Sequence, residues 1–87
     1  MNTPEDYGFH KKADYGHSGF VYEKTTPDFD LNPRLTADRY GGSEEWLVKL
    51  VVPDGNGGEK EVDWRTAWSA SDARGKGLDI LRSYYDQ

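Results

Sequence analysis

Two neighbouring stretches near the C-terminal half alternate apolar and polar residues with a period of two, and the segment after them changes to a period near four. Trp46, Val48, Leu50 and Val52 alternate with Glu45, Leu47, Lys49 and Val51; after Asp54-Gly55-Asn56-Gly57-Gly58, the residues Val62, Trp64, Thr66 and Trp68 alternate with Glu61, Asp63, Arg65 and Ala67. A period of two is what a strand with one covered face requires. The glycine-rich stretch between them holds residues that tolerate positive φ, so it predicts a hairpin turn. Register follows from the apolar pattern. Val52 is set against Lys60, Leu50 against Val62, Val48 against Trp64 and Trp46 against Thr66, with Lys49 facing Asp63 and Leu47 facing Arg65 on the other side. A one-residue slip that placed Val48 against Asp63 would mix apolar and charged side chains on one face.

Beyond Trp68 the cap-forming residues Ser69, Ser71 and Asp72 precede Ala73, Gly77, Ile80, Leu81 and Tyr84 at helical spacing, with Leu78 and Tyr85 widening the stripe. A helix over Ser71–Tyr85 is predicted, with Ser69 or Ser71 as N-cap and Asp72 favoured by the helix dipole. Gly77 has a structural reason if the helix approaches the sheet closely there.

Upstream, Ser18–Thr25 reads as a strand with Phe20 and Tyr22 on one side and Val21 and Glu23 on the other. Asn32-Pro33 reads as N-cap and first residue of a short helix, Pro33–Tyr40, stopped by Gly41. Residues 1–17 hold a tyrosine–glycine echo, Asp6-Tyr7-Gly8 and Asp14-Tyr15-Gly16, and read as an irregular N-terminal arm. The expected architecture is a single α+β domain over residues 18–87: a small three-stranded antiparallel sheet (Ser18–Thr25, Glu45–Pro53, Glu59–Trp68) with the C-terminal helix packed on one face. Trp46, Trp64 and Trp68 are expected to supply the bulk of its core.

With 87 residues and no cysteine, the chain has neither disulfide nor thiolate metal site to brace it, and homo-oligomerisation would relieve a thin stability margin. It has no apolar run of membrane-spanning length and no basic, apolar leader, so no membrane association and a cytoplasmic setting are expected.

The motifs that carry chemistry are absent or incomplete. The Asp54 turn fails as a calcium loop because Gly58 and Arg65 stand where ligands belong. His10 and His17 with Asp6 and Asp14 could supply zinc-type donors, but on a loop-like segment at a spacing that fits neither helix nor hairpin. Ser18 beside His17 is a sequence neighbour pair without a triad. Gly75-Lys76-Gly77 lacks the spacing of a phosphate loop. No enzyme activity, cofactor or metal is expected.

The charge balance speaks to partners. A formal charge of −5 repels a phosphate backbone. It suits a surface that seeks a basic protein. Tyr15, Phe20, Tyr22 and Tyr40 are candidate anchors, since tyrosine brings contact area at small entropic cost, and Glu44, Glu45, Glu61 and Asp63 would steer the approach. The alternative is a nucleic-acid accessory domain using Arg65, Arg74, Lys76 and Arg82, and a third is a small structural or assembly subunit. The profile as a whole, short, acidic, cysteine-free, tyrosine-rich and without a catalytic constellation, is similar to the small inhibitor proteins that phages direct at host nucleic-acid enzymes, anti-CRISPR proteins among them. That resemblance implies a non-catalytic viral inhibitor that occludes a basic, nucleic-acid-binding surface of its target.

Overall fold

The computed structural model describes residues 3–25, 32–39 and 44–86, with the side chain of His17 excepted. Five strands form one antiparallel sheet in the order β1 (Phe9–Asp14), β2 (Gly19–Lys24), β3 (Arg34–Arg39), β4 (Trp46–Pro53) and β5 (Glu59–Ala67), and the helix α1 (Ala70–Tyr85) follows. A 3-10 turn, Pro4–Tyr7, precedes β1. The sheet therefore has five strands, not the expected three. The residues 1–17, read as an irregular arm, contain the edge strand β1, and the expected helix Pro33–Tyr40 is the central strand β3 over its described part. Both short segments gain ladder partners that outweigh local preference: β1 pairs with β2, and β3 is hydrogen-bonded on both sides, to β2 and β4. Two helical turns alone would be marginal in water. Tyr40 and the proposed stop Gly41 lie outside the described residues.

One face of the sheet carries the core. Phe9, Phe20, Tyr22, Leu35, Val48, Leu50 and Val52 are buried there beneath Ala73, Gly77, Ile80 and Leu81 of α1. The helix begins where expected. The Ser69 side chain accepts a hydrogen bond from Asp72 N at 3.0 Å, satisfying one N-terminal donor of the helix, and the Asp72 carboxylate accepts one from Trp68 N at 3.2 Å, just before the cap.

Gly77 is the contact point between helix and sheet. A Cβ there would stand 3.0 Å from Leu35 Cδ2 and 3.6 Å from Val48 Cγ1, whereas one at Gly75 would meet nothing within 4 Å. Gly75→Ala is accordingly expected to stabilise the protein by about 0.4–1 kcal/mol through helix propensity and a less flexible unfolded chain. Gly77→Ala, which must displace Leu35, should give no such gain. Urea midpoints of the two variants provide the comparison, and equal gains would mean that the helix stands further from the sheet.

The β4–β5 register departs from the sequence pattern. Val52 faces Lys60 as expected, but Val51 faces Glu61 and Leu50 faces Asp63, leaving Val62 as the extra residue of a β-bulge. From there the pairing is displaced by one: Val48 faces Arg65, Lys49 faces Trp64, Leu47 faces Thr66 and Trp46 faces Ala67. Directly opposed residues share a face. The bulge thus keeps Val62 against the core while turning Trp64 outward, and Trp64 is 56% exposed and Trp68 68%, against 3% for Trp46. The expectation of a three-tryptophan core is corrected to one. Asp63 and Arg65 are tolerated beside core strand β4 because β5 is the sheet edge, where their charged ends form an ion pair at the rim.

Candidate functional site

An antiparallel meander gathers alternate connections at each end. At one end lie Tyr15, the close of β3 at Asp38 and Arg39, Glu44 and Glu45 before β4, and Trp68 between β5 and α1. Tyr15 is 66% exposed and is held by the turn around it: its N–H donates to Gly19 O at 2.8 Å and its carbonyl accepts from Ser18 N at 3.2 Å. Trp68 is fixed by the α1 cap described above. The same end holds a cleft of about 450 Å3 lined by Arg39, Glu44, Trp46, Trp68, Ser69 and Ser71. Five strands at a spacing of about 4.8 Å separate β1 from β5 by roughly 19 Å. This end is thus the breadth of a protein contact surface rather than a closed pocket. It carries exposed aromatics at both sides and the acids Asp38, Glu44 and Glu45 between them.

Among the described residues, no element covers the sheet face away from α1. Its central row runs Ala13, Val21, Thr36, Lys49, Trp64 across the five strands. Beside it, Glu23 is bonded to Lys12 at 2.7 Å and to Asn32 at 2.8 Å, and Arg34 reaches Glu59 at 2.6 Å. These pairings neutralise Lys12 and Arg34 on this face.

The residues singled out from the sequence are distributed unevenly. Tyr15, Glu44 and Glu45 stand at the acid-rich end. Glu61 is exposed near the start of β5. Asp63 is occupied by Arg65. Phe20 and Tyr22 are 4% and 8% exposed and pack edge to face with centroids 5.7 Å apart, so they belong to the core and not to a contact surface. Tyr40 lies outside the described residues. Trp64, Trp68 and, at 37% exposed, Tyr84, which sequence reasoning placed inside, are the exposed aromatics it missed; no local signal marks the bulge that turns Trp64 out.

The four basic residues of the nucleic-acid alternative are not assembled into one patch. Arg65 is paired with Asp63, and Arg82 stands 3.7 Å from Asp79. On α1, two residues at about 100° each put Arg74 and Lys76 roughly 160° apart around the helix axis.

Among the described residues no group of three or more His, Cys, Asp or Glu side chains could hold a metal ion, and no helix is long and apolar enough to cross a membrane.

Titration is shaped by local hydrogen bonds. The Gly16 N–H and then Lys11 hold Asp14 below its ordinary value, Lys12 and then Asn32 do so for Glu23, and the Asn56 and Gly58 N–H groups do so for Asp54. A depressed carboxyl stabilises the fold above its unfolded value, near 4, and this contribution is lost as pH falls through the folded value. At the opposite end of the sheet, Tyr7 donates to Asp86 Oδ2 at 2.6 Å and is raised by that bond first and by burial second; burial, then Tyr84, pushes Tyr85 up to about 12. A raised phenol stabilises the fold below its unfolded value, near 10, and the contribution disappears as pH rises toward 12. The urea midpoint should therefore decline below pH about 4 and again above about 10. Tyr85→Phe should flatten the alkaline decline. An alkaline limb unchanged in Tyr85→Phe would show that the buried phenol is not its cause.

No protein family, curated protein or solved structure matches this chain.

Proposed function

We propose that this chain is a non-catalytic, acidic binding module that docks on a basic surface of another protein. An inhibitor that covers a target's nucleic-acid-binding surface is the form of that reading which size and charge favour. The observation that carries it is the pairing of exposed Tyr15 and Trp68 with Asp38, Glu44 and Glu45 at one end of the sheet. Large aromatics exposed at the margins of an acidic strip supply contact area, and the negative charge of the strip supplies steering. The separation of Arg65, Arg74, Lys76 and Arg82 argues against direct nucleic-acid binding by the same chain.

The test begins with a partner captured from the native host and follows association by stopped flow. Electrostatic steering should lower the association rate about tenfold or more between low salt and physiological salt. Glu44→Lys with Glu45→Lys should slow association at low salt by a similar factor. Trp68→Ala should act on dissociation and weaken affinity by about thirtyfold, the scale of a hot-spot residue. An association rate indifferent to salt and to the charge reversals, or tight binding of single- or double-stranded nucleic acid by the chain alone, would overturn the reading.

A further inference from the structure

The free edge of β5 is closed by its own side chains at one point. Trp64 N donates to Asp63 Oδ1 at 2.8 Å, Trp64 O accepts from Arg65 Nη1 at 2.8 Å, and Arg65 and Asp63 are ion-paired with each other. The peptide groups of Trp64 that the edge presents are thus satisfied without a neighbouring strand. Edge strands are commonly protected by charges and bulges in this way, because an open edge is a template for another strand.

The sequence around this point is self-complementary. If two β5 strands are laid antiparallel about a two-fold axis at Trp64, Trp64 faces Trp64, Asp63 faces Arg65, Arg65 faces Asp63, and Val62 faces Thr66. Opposite charges therefore meet on both sides of the axis. Each Trp64 N–H would donate to the Trp64 carbonyl of the second copy. The intrachain ion pair would be exchanged for two interchain pairs. The two indoles, each 56% exposed in the single chain, would lie side by side on the faces away from α1. A two-fold contact requires this property, the same patch complementary to itself.

We infer that the β5 edge is a self-association surface: two copies of this chain pair β5 to β5 about Trp64, exchanging the Asp63–Arg65 ion pair between chains and joining two five-stranded sheets into one. The Val62 bulge twists the strand on one side of the axis, so the paired ribbon is short. A short ribbon gives a weak dimer, in the range typical of small interfaces. This goes beyond the partner reading and uses none of the residues that carry it under Proposed function: Tyr15, Trp68, Asp38, Glu44 and Glu45 are at the sheet end, not on the β5 edge, and of the steering candidates only Asp63 is shared.

Sedimentation of the full chain alone, from about 5 μM to about 1 mM, tests it. The weight-average mass should rise toward that of a dimer. Asp63→Arg alone and Arg65→Asp alone should each weaken association at least about tenfold, because like charges then face each other across the axis. The double exchange, Asp63→Arg with Arg65→Asp, should restore it, since both the intrachain pair and the interchain pair are re-formed with reversed sign. The chain has no cysteine, so single thiols report register. Trp64→Cys places two thiols on opposed residues with Cα atoms about 5.5 Å apart, within disulfide reach. It should cross-link at least about tenfold faster than Thr66→Cys, whose opposite residue is Val62. A mass that stays monomeric up to 1 mM, single-charge variants that dimerise like the wild type, or equal cross-linking of Trp64→Cys and Thr66→Cys would each overturn the inference.

Discussion

Gly19→Ala is expected to cost about 2–6 kcal/mol and to lower the melting temperature and urea midpoint sharply. Gly19 has φ 150° and ψ −177°, a combination open essentially to glycine alone, which carries about 1–3 kcal/mol of strain for any other residue. A Cβ at this position would also overlap the carbonyl oxygen of Ala37 and stand 3.3 Å from its carbonyl carbon, because β2 and β3 are laddered there with Gly19 opposite Asp38. Overpacking of this kind adds about 1–3 kcal/mol. An 87-residue domain has about 4–13 kcal/mol in all. The loss is thus about half of the whole stability. Circular dichroism against temperature and urea reads it directly. A variant that melts where the wild type does would mean that the β2–β3 contact at Gly19 is looser than described.

Phe9→Ala is expected to cost about 3–5 kcal/mol, the range for removing a large aromatic from a core. Phe9 is 1% exposed and lies edge-on to Tyr85 with ring centroids 6.0 Å apart. Tyr7, two residues before it, meets the same Tyr85 ring at 6.1 Å and bonds Asp86 through its hydroxyl. The 3-10 turn and the start of β1 are thereby fastened to the end of α1. An irregular arm would make the opposite prediction, since substitutions outside the packed structure usually change stability by no more than about 0.5 kcal/mol. Urea denaturation distinguishes the two outcomes by several-fold. Loss of amide protection in the last turn of α1 should accompany the loss of stability if the aromatic contact is what joins the two ends.

Legibility from sequence varied with how local each determinant is. α1 and its cap were legible because Ser69, Asp72 and the 3.6-residue stripe act within one segment. β2 and β4 were legible because Phe20 with Tyr22, and Trp46 through Val52, alternate without interruption. The same alternation in Val62, Trp64, Thr66 misled, because one inserted residue in the ladder reverses every side chain beyond it while leaving the sequence pattern intact. β1 is Phe-His-Lys-Lys-Ala-Asp with its own register shift between Lys11 and Ala13, and it shows no usable period. β3 begins behind Asn32-Pro33, a pair that imitates a helix start.

The candidate site was only partly legible for the same reason. Tyr15, Glu44 and Glu45 were singled out because turns and charged residues favour exposure by their own chemistry. Phe20 and Tyr22 were misplaced, and Trp64 and Trp68 were overlooked, because an aromatic side chain is equally at home in a core or in an interface.

The sequence by itself determined the α+β class, the β4–β5 hairpin, the capped C-terminal helix and the glycine where that helix meets the sheet. All of these rest on interactions within a few residues or on an unbroken period. Only the tertiary structure decided that the sheet has five strands, that Trp64 faces water and that Tyr7 and Phe9 are built into the core. Those outcomes depend on which strands pair and on the register they take. Burial of apolar area and saturation of backbone hydrogen bonds are settled between segments distant in sequence, where no local pattern records the choice.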